Sequence, residues 1–201
     1  MTLLQPPQSP LAPAPQESPF RLSVAQYHRM IDAGILGEGD AVELLEGVLV
    51  TKMPKKPRHP VVVRLLADAI QSALPRGAHV RSQDPVTLDD GEPEPDGAVV
   101  RGEPRDYLER HPGPRDVLLV IEVADTSLDR DRGIKLRSYA RAGIAAYWIV
   151  NLVEGVVEVY TRPGVADGVP TYVDRAVRRP GEEVALAIDG GAVVRVDAIL
   201  P

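Results

Sequence analysis

The run Val117-Leu118-Leu119-Val120-Ile121-Glu122-Val123 constrains this chain more than any other segment. A continuous block of Val, Leu and Ile is the pattern of a central strand covered on both faces, and such a strand needs layers above and below it. The block holds one charge. A carboxylate left ionised and unpaired there costs at least several kcal/mol, so something must neutralise Glu122. Two answers are open: an arginine partner near the strand's end, or a metal ion at the mouth of the sheet.

The flanking sequence supplies the layers. Ser23 and Gln26 have capping-box spacing, and Val24, Tyr27, Met30 and Ile31 follow at helical spacing, predicting a short helix over Val24–Ala33. Val42–Met53 reads as a strand pair or as a strand entered from a bend. A second helix is expected over Pro60–Leu74, ended by Pro75, and strands over His79–Ser82, Val86–Leu88 and Ala98–Arg101. Asp129–Ala142 reads as a helix closed by Gly143, and Ala145–Val150 as another buried strand. With Val117–Val123 they form a βαβ crossover whose strands are neighbours or near neighbours. Beyond Gly155, short strands are expected at Val156–Tyr160, Tyr172–Val173, Glu183–Leu186 and Val193–Val196. The expectation is a mixed α/β fold: a central sheet flanked by helices, with an antiparallel β-rich C-terminal part. Residues Met1–Pro19 carry six prolines, which block helix and ladder alike, so a disordered tail is expected ahead of a single domain over 20–201.

Charge narrows the function. A formal net charge of −6 argues against coating nucleic acid by bulk electrostatics, so any such contact is local. The one dense basic run in the first half is Lys52-Met53-Pro54-Lys55-Lys56-Pro57-Arg58-His59, a solvated loop or a phosphate contact. Arg175, Arg178 and Arg179 form a second, more remote cluster. Cysteine is absent, and neither a secretory signal nor a membrane-spanning run is evident, which makes the cytoplasm the expected compartment. No Walker loop, dinucleotide turn, Cys/His zinc pattern or serine elbow occurs.

Two further residues join Glu122. Asp96, between Pro95 and Gly97, is either a turn residue or an acid at the start of the Ala98–Arg101 strand. In the second case it can share one hard cation with Glu122, because Mg²⁺ uses one or two carboxylates plus waters and phosphate oxygens. Lys135 is one of only four lysines and the only one after Lys56. Asp131, Lys135 and Tyr139 recur at i, i+4 and i+8 on the helix after the Glu122 strand, which is either a solvated ion-pair face or a compact ammonium aimed at the site.

These residues resemble the Uma2-like restriction endonucleases, a branch of the PD-(D/E)xK nuclease superfamily. The resemblance runs from about Arg21 to Tyr160. It rests on Glu43-Leu44-Leu45-Glu46-Gly47, His59 opening a helix, Pro95-Asp96, Ile121-Glu122-Val123, the Asp131–Lys135–Tyr139 series, and Gly143 with Tyr147-Trp148-Ile149-Val150. The superfamily's usual lysine position, two residues after the strand acid, holds Ala124 here, and Lys135 on the following helix is the carry-over. The resemblance implies a restriction-endonuclease-like fold and a Mg²⁺- or Mn²⁺-dependent endonuclease acting on DNA. It further implies Asp96, Glu122 and the Val123 carbonyl as metal ligands, Lys135 as the catalytic cation and Glu43 as a positioning acid. Glu46 competes with Glu43 for that last role, and His59 is a weaker candidate whose commoner fate is helix capping or the surface. A homodimer is expected, since one site cuts one strand. A second class of function is a nuclease-fold module, weak or inactive in catalysis, that binds nucleic acid or protein.

Overall fold

The computed structural model describes residues 18–37, 39–186, 188 and 191–200. Most of the proline-rich stretch, residues 1–17, lies outside the described residues, and with it the expectation of a disordered tail. The first helix, α1 (Val24–Asp32), is closed at its start by the full capping box of Ser23 and Gln26. A hairpin follows, β1 (Val42–Leu45) and β2 (Val48–Thr51). Its two-residue turn puts Glu46 at φ 49° and Gly47 at φ 76°, the mirror-image turn that matches strand twist. Gly47 is required there twice over, because a Cβ would also come within 2.7 Å of the Arg21 Cβ. Helix α2 spans Arg58–Ala73 and buries Val62, Val63, Leu66 and Ile70 along one stripe.

The central sheet has six strands in the order β3-β4-β5-β6-β7-β8. They are β3 (Ala78–Arg81), β4 (Gly97–Arg101), β5 (Val117–Ala124), β6 (Ala146–Asn151), β7 (Val156–Ala166) and β8 (Val169–Arg178). Only β5 and β6 run parallel, joined by the expected crossover; every other neighbouring pair is antiparallel. The crossover is not one uniform helix. It consists of α3 (Leu128–Arg130), a π-helical turn (Asp131–Lys135) and α4 (Leu136–Arg141). Two short strands, β9 (Glu183–Ala185) and β10 (Val193–Arg195), pair with each other near the C-terminus.

Alternation along the strands divides the interior into two cores. On one face Leu119, Ile121, Val123, Trp148 and Val150 pack against α2 and the β9–β10 hairpin. On the other face Val120, Ala124, Tyr147 and Ile149 pack under Leu136, Tyr139 and Ala140 of α4, with Tyr160 and Tyr172 beside them. Glu122 has the parity of the second face.

One expected strand is absent. Val86 and Leu88 are buried, but as parts of a loop whose amides bond locally, Val86 to the Pro93 carbonyl and Leu88 to that of Gly91. Burial alone kept these residues apolar, and a loop folded onto the core satisfies that as well as a strand does. The β7–β8 hairpin is longer than expected because Pro163, Gly164 and Pro170 sit within the paired strands instead of ending them. Among the described residues no helix is long and apolar enough to cross a membrane.

Candidate active site

The carboxyl end of β5 opens into a cleft lined by Glu43, His59, Gln83, Asp96, Glu122, Asp131 and Lys135, with Lys52, Lys55 and Lys56 at its edge. Strand pairing explains the convergence. Gly97 lies opposite Ile121, so Asp96, just before β4, comes level with Glu122 and Val123. The Val123 amide donates to Asp96 Oδ2 at 2.9 Å. The π turn brings Lys135 over the same strand end, where its Nζ donates to Glu122 Oε1 at 2.9 Å. The Tyr139 hydroxyl donates to the same oxygen at 2.8 Å. Lys135 and Glu122 are 5% and 3% exposed, so this is a buried ion pair and not a solvated helix face.

The two early acids part company. Glu43 is buried, its Oε2 lies 3.4 Å from Lys135 Nζ, and the Glu94 amide donates to it at 3.2 Å. Glu46 turns to α4, where Arg137 Nε donates to it at 2.7 Å and Arg141 Nη2 at 2.8 Å. It does not line the cleft.

His59 departs from the expectation of a cap or surface residue. It is buried in the first turn of α2, and its Nε2–H donates to Asp96 Oδ2 at 3.0 Å, while Nδ1 has no partner among the described residues. Pro57 and Pro60 flank the start of α2 without cost, since first-turn amides have no intrahelical acceptor. They leave His59 facing inward. Gln83 gave no signal in the sequence; its side chain donates to Asp96 Oδ1 at 3.3 Å from a loop position with φ 60°.

Electrostatics separates the acids. Burial pushes the Asp96 carboxyl up, but the His59 hydrogen bond and charge, the Val123 amide and Lys135 together outweigh it, leaving Asp96 below its usual range. Glu122 goes the other way. Its burial is only partly offset by Lys135, and Asp131, Asp96 and Glu43 add repulsion, so its carboxyl is held well above the usual range. Asp131, which accepts the Ser127 hydroxyl, is raised to about 6 by burial. Burial opposes the Lys135 charge, but Glu122, Glu43 and Asp131 more than restore it and keep the ammonium protonated.

The cleft therefore holds more carboxylates than buried cations. Among the described residues no group of three or more His, Asp or Glu side chains is arranged as a ready metal cage. The all-oxygen pair Asp96 and Glu122 nevertheless fits a hard divalent ion, which takes few carboxylates and fills its other positions with water and substrate oxygens. Glu122 keeps one oxygen without a hydrogen bond among the described residues, since Lys135 and Tyr139 both use Oε1.

Comparison with known proteins identifies the family and the fold. The family model Uma2, described as "Putative restriction endonuclease", matches residues 24–194. A crystal structure of a putative nuclease belonging to DUF820 from Anabaena variabilis has the same fold. It aligns with a TM-score of 0.61 at 16% identity, covering 89% of this chain and 97% of that one. The apo form of NucC from E. coli MS115-1, 16% identical, gives a TM-score of 0.29 over 57% of this chain and 52% of that chain. No curated protein matches the sequence.

Proposed function

This chain belongs to the Uma2 family of putative restriction endonucleases, and from that premise we propose that it is a divalent-metal-dependent endonuclease hydrolysing phosphodiester bonds in DNA. The observation that carries the reading is the buried Lys135 ammonium, held between Glu122 and Glu43 in the cleft that Asp96 also lines.

In this reading Asp96 and Glu122 would hold a Mg²⁺ or Mn²⁺ ion, with the Val123 carbonyl as a third protein donor, and such an ion, when bound, would supply Lewis acidity and lower the pKa of a bound water. The chain does the rest. His59 and the Val123 amide hold one oxygen of Asp96, which fixes the carboxylate plane. Tyr139 holds Glu122 in the same way. Lys135 carries hydrogens that the attacking water or a non-bridging phosphate oxygen can accept, and its charge offsets the negative charge that grows as the phosphorus is attacked. Glu43 steadies the ammonium from its far side. Lys52, Lys55 and Lys56 meet the phosphates on either side of the cut, the local contact that an acidic protein needs. The enzyme acts in the cytoplasm as a homodimer, which brings two such sites to a duplex.

Incubation of the purified protein with plasmid and with single-stranded DNA, plus Mg²⁺ or Mn²⁺, tests this. Cleavage that a chelator abolishes is expected. Intact DNA under every metal condition would reject the nuclease reading and favour a binding module.

A further inference from the structure

Glu158 lies on β7, outside the cleft, and is fully buried. Four side chains donate to its carboxylate. Arg132 does so through Nε at 3.1 Å and also through Nη2, Arg175 through Nη2 at 3.0 Å, Asn151 at 2.9 Å and Tyr160 at 2.6 Å. Stability alone is a poor reason for such a cluster, since replacing a buried ion pair with apolar residues is often neutral or favourable.

The position of Arg132 supplies a better one. It belongs to the π-helical turn that ends on Lys135. Within that turn the Asp131 carbonyl accepts the Leu136 amide, five residues on, and also the Tyr147 hydroxyl at 3.0 Å. A π turn holds one residue more than the α-helical path and persists where outside contacts impose it. Removing that residue's worth of winding would rotate Lys135 by about 100° against the preceding segment, since an α-helix has about 3.6 residues per turn. Its ammonium would then leave Glu122.

We propose that Glu158 is a positioning residue: by gripping Arg132 it holds the π turn in the winding that delivers Lys135 to the cleft. The catalytic meaning of this rests on the nuclease reading, whereas the positioning itself does not.

Lysine labelling separates the two. The chain has only Lys52, Lys55, Lys56 and Lys135, and the first three are at least partly exposed while Lys135 is buried. Reductive methylation of the full chain, read by mass spectrometry well below each variant's thermal midpoint, should modify the first three and spare Lys135. In Arg132→Gln the methylation of Lys135 should speed up by about tenfold or more through local opening. Glu158→Gln, isosteric but uncharged, is the second variant and should do the same. Arg175→Gln removes another arginine from the same carboxylate without touching the helical run, and should leave Lys135 protected. Unchanged protection in Arg132→Gln and Glu158→Gln, or equal exposure in Arg175→Gln, would overturn the proposal. If the wild type cleaves DNA, Arg132→Gln should lower kcat with little change in KM. If it cleaves under no condition, the nuclease reading fails, yet the labelling still decides the positioning.

Discussion

Asp96 and Glu122 line one cleft but are held in opposite electrostatic settings, so their neutral isosteres should behave differently. Asp96 is depressed, and its ionised form therefore contributes stability above its ordinary range that is lost as pH falls. Asp96→Asn should lower the thermal midpoint at neutral pH. Glu122 is raised, so the fold resists its ionisation and loses stability as pH rises through the shifted value. Glu122→Gln should raise the midpoint, as removal of an ill-solvated active-site charge commonly does. Both should abolish cleavage. Calorimetric scans at neutral pH check the pair, and a lower midpoint for Glu122→Gln would show that its ion pair is structural. Lys135→Ala should cost roughly two or more powers of ten in rate, the scale for losing one charge-stabilising group. Lys135→Arg should also be slow, because a planar fork presents its donors differently from an ammonium. Metal binding, measured by titration calorimetry, should survive both. Near-normal rates in either variant would remove Lys135 from the chemistry.

Among the secondary-structure elements, the β5 strand and the crossover after it were legible from sequence for simple reasons. An unbroken apolar block announces a covered strand, a lone acid within it announces a site, and a solitary lysine downstream stands out among arginines. The choice between Glu43 and Glu46 was not legible, because it is made by Arg137 and Arg141, distant in sequence and brought close only by packing. His59 was undervalued for the same reason: its partner Asp96 arrives from another element. The π turn left no periodic trace, since the helical segments on either side of it, Leu128–Arg130 and Leu136–Arg141, are too short to show the change of phase. The clamp on that turn gives a pH prediction. Burial pushes Glu158 up, but Arg132, Tyr160 and Asn151 outweigh it and bring the carboxyl down to about 2. Its stabilisation is fully present above the ordinary glutamate range and is lost as pH falls from there to about 2. Glu158→Gln should therefore flatten the acid end of the stability–pH curve, as followed by denaturant midpoints. An unchanged slope would show that the carboxylate gains nothing from its partners.

For the whole molecule, the homodimer is the most accessible claim. An acidic monomer offers little cationic surface to a duplex, and a second copy would double the local contacts and, under the proposed function, add a second site. Light scattering at working concentration should give twice the chain mass, and a monomeric mass would count against the assembly. The two-faced sheet has a different use. Trp148 is the only tryptophan, fully buried in the core on the α2 side, and lies opposite Ile121 in the strand pairing. Its indole N–H finds no partner among the described residues, where a buried tryptophan usually has one. The chain thus carries a built-in optical gauge. Emission from this one ring should report the integrity of the α2-side core, whereas Glu122 and Lys135 meet on the opposite face of the sheet, so fluorescence follows the loosening of one core and not of both.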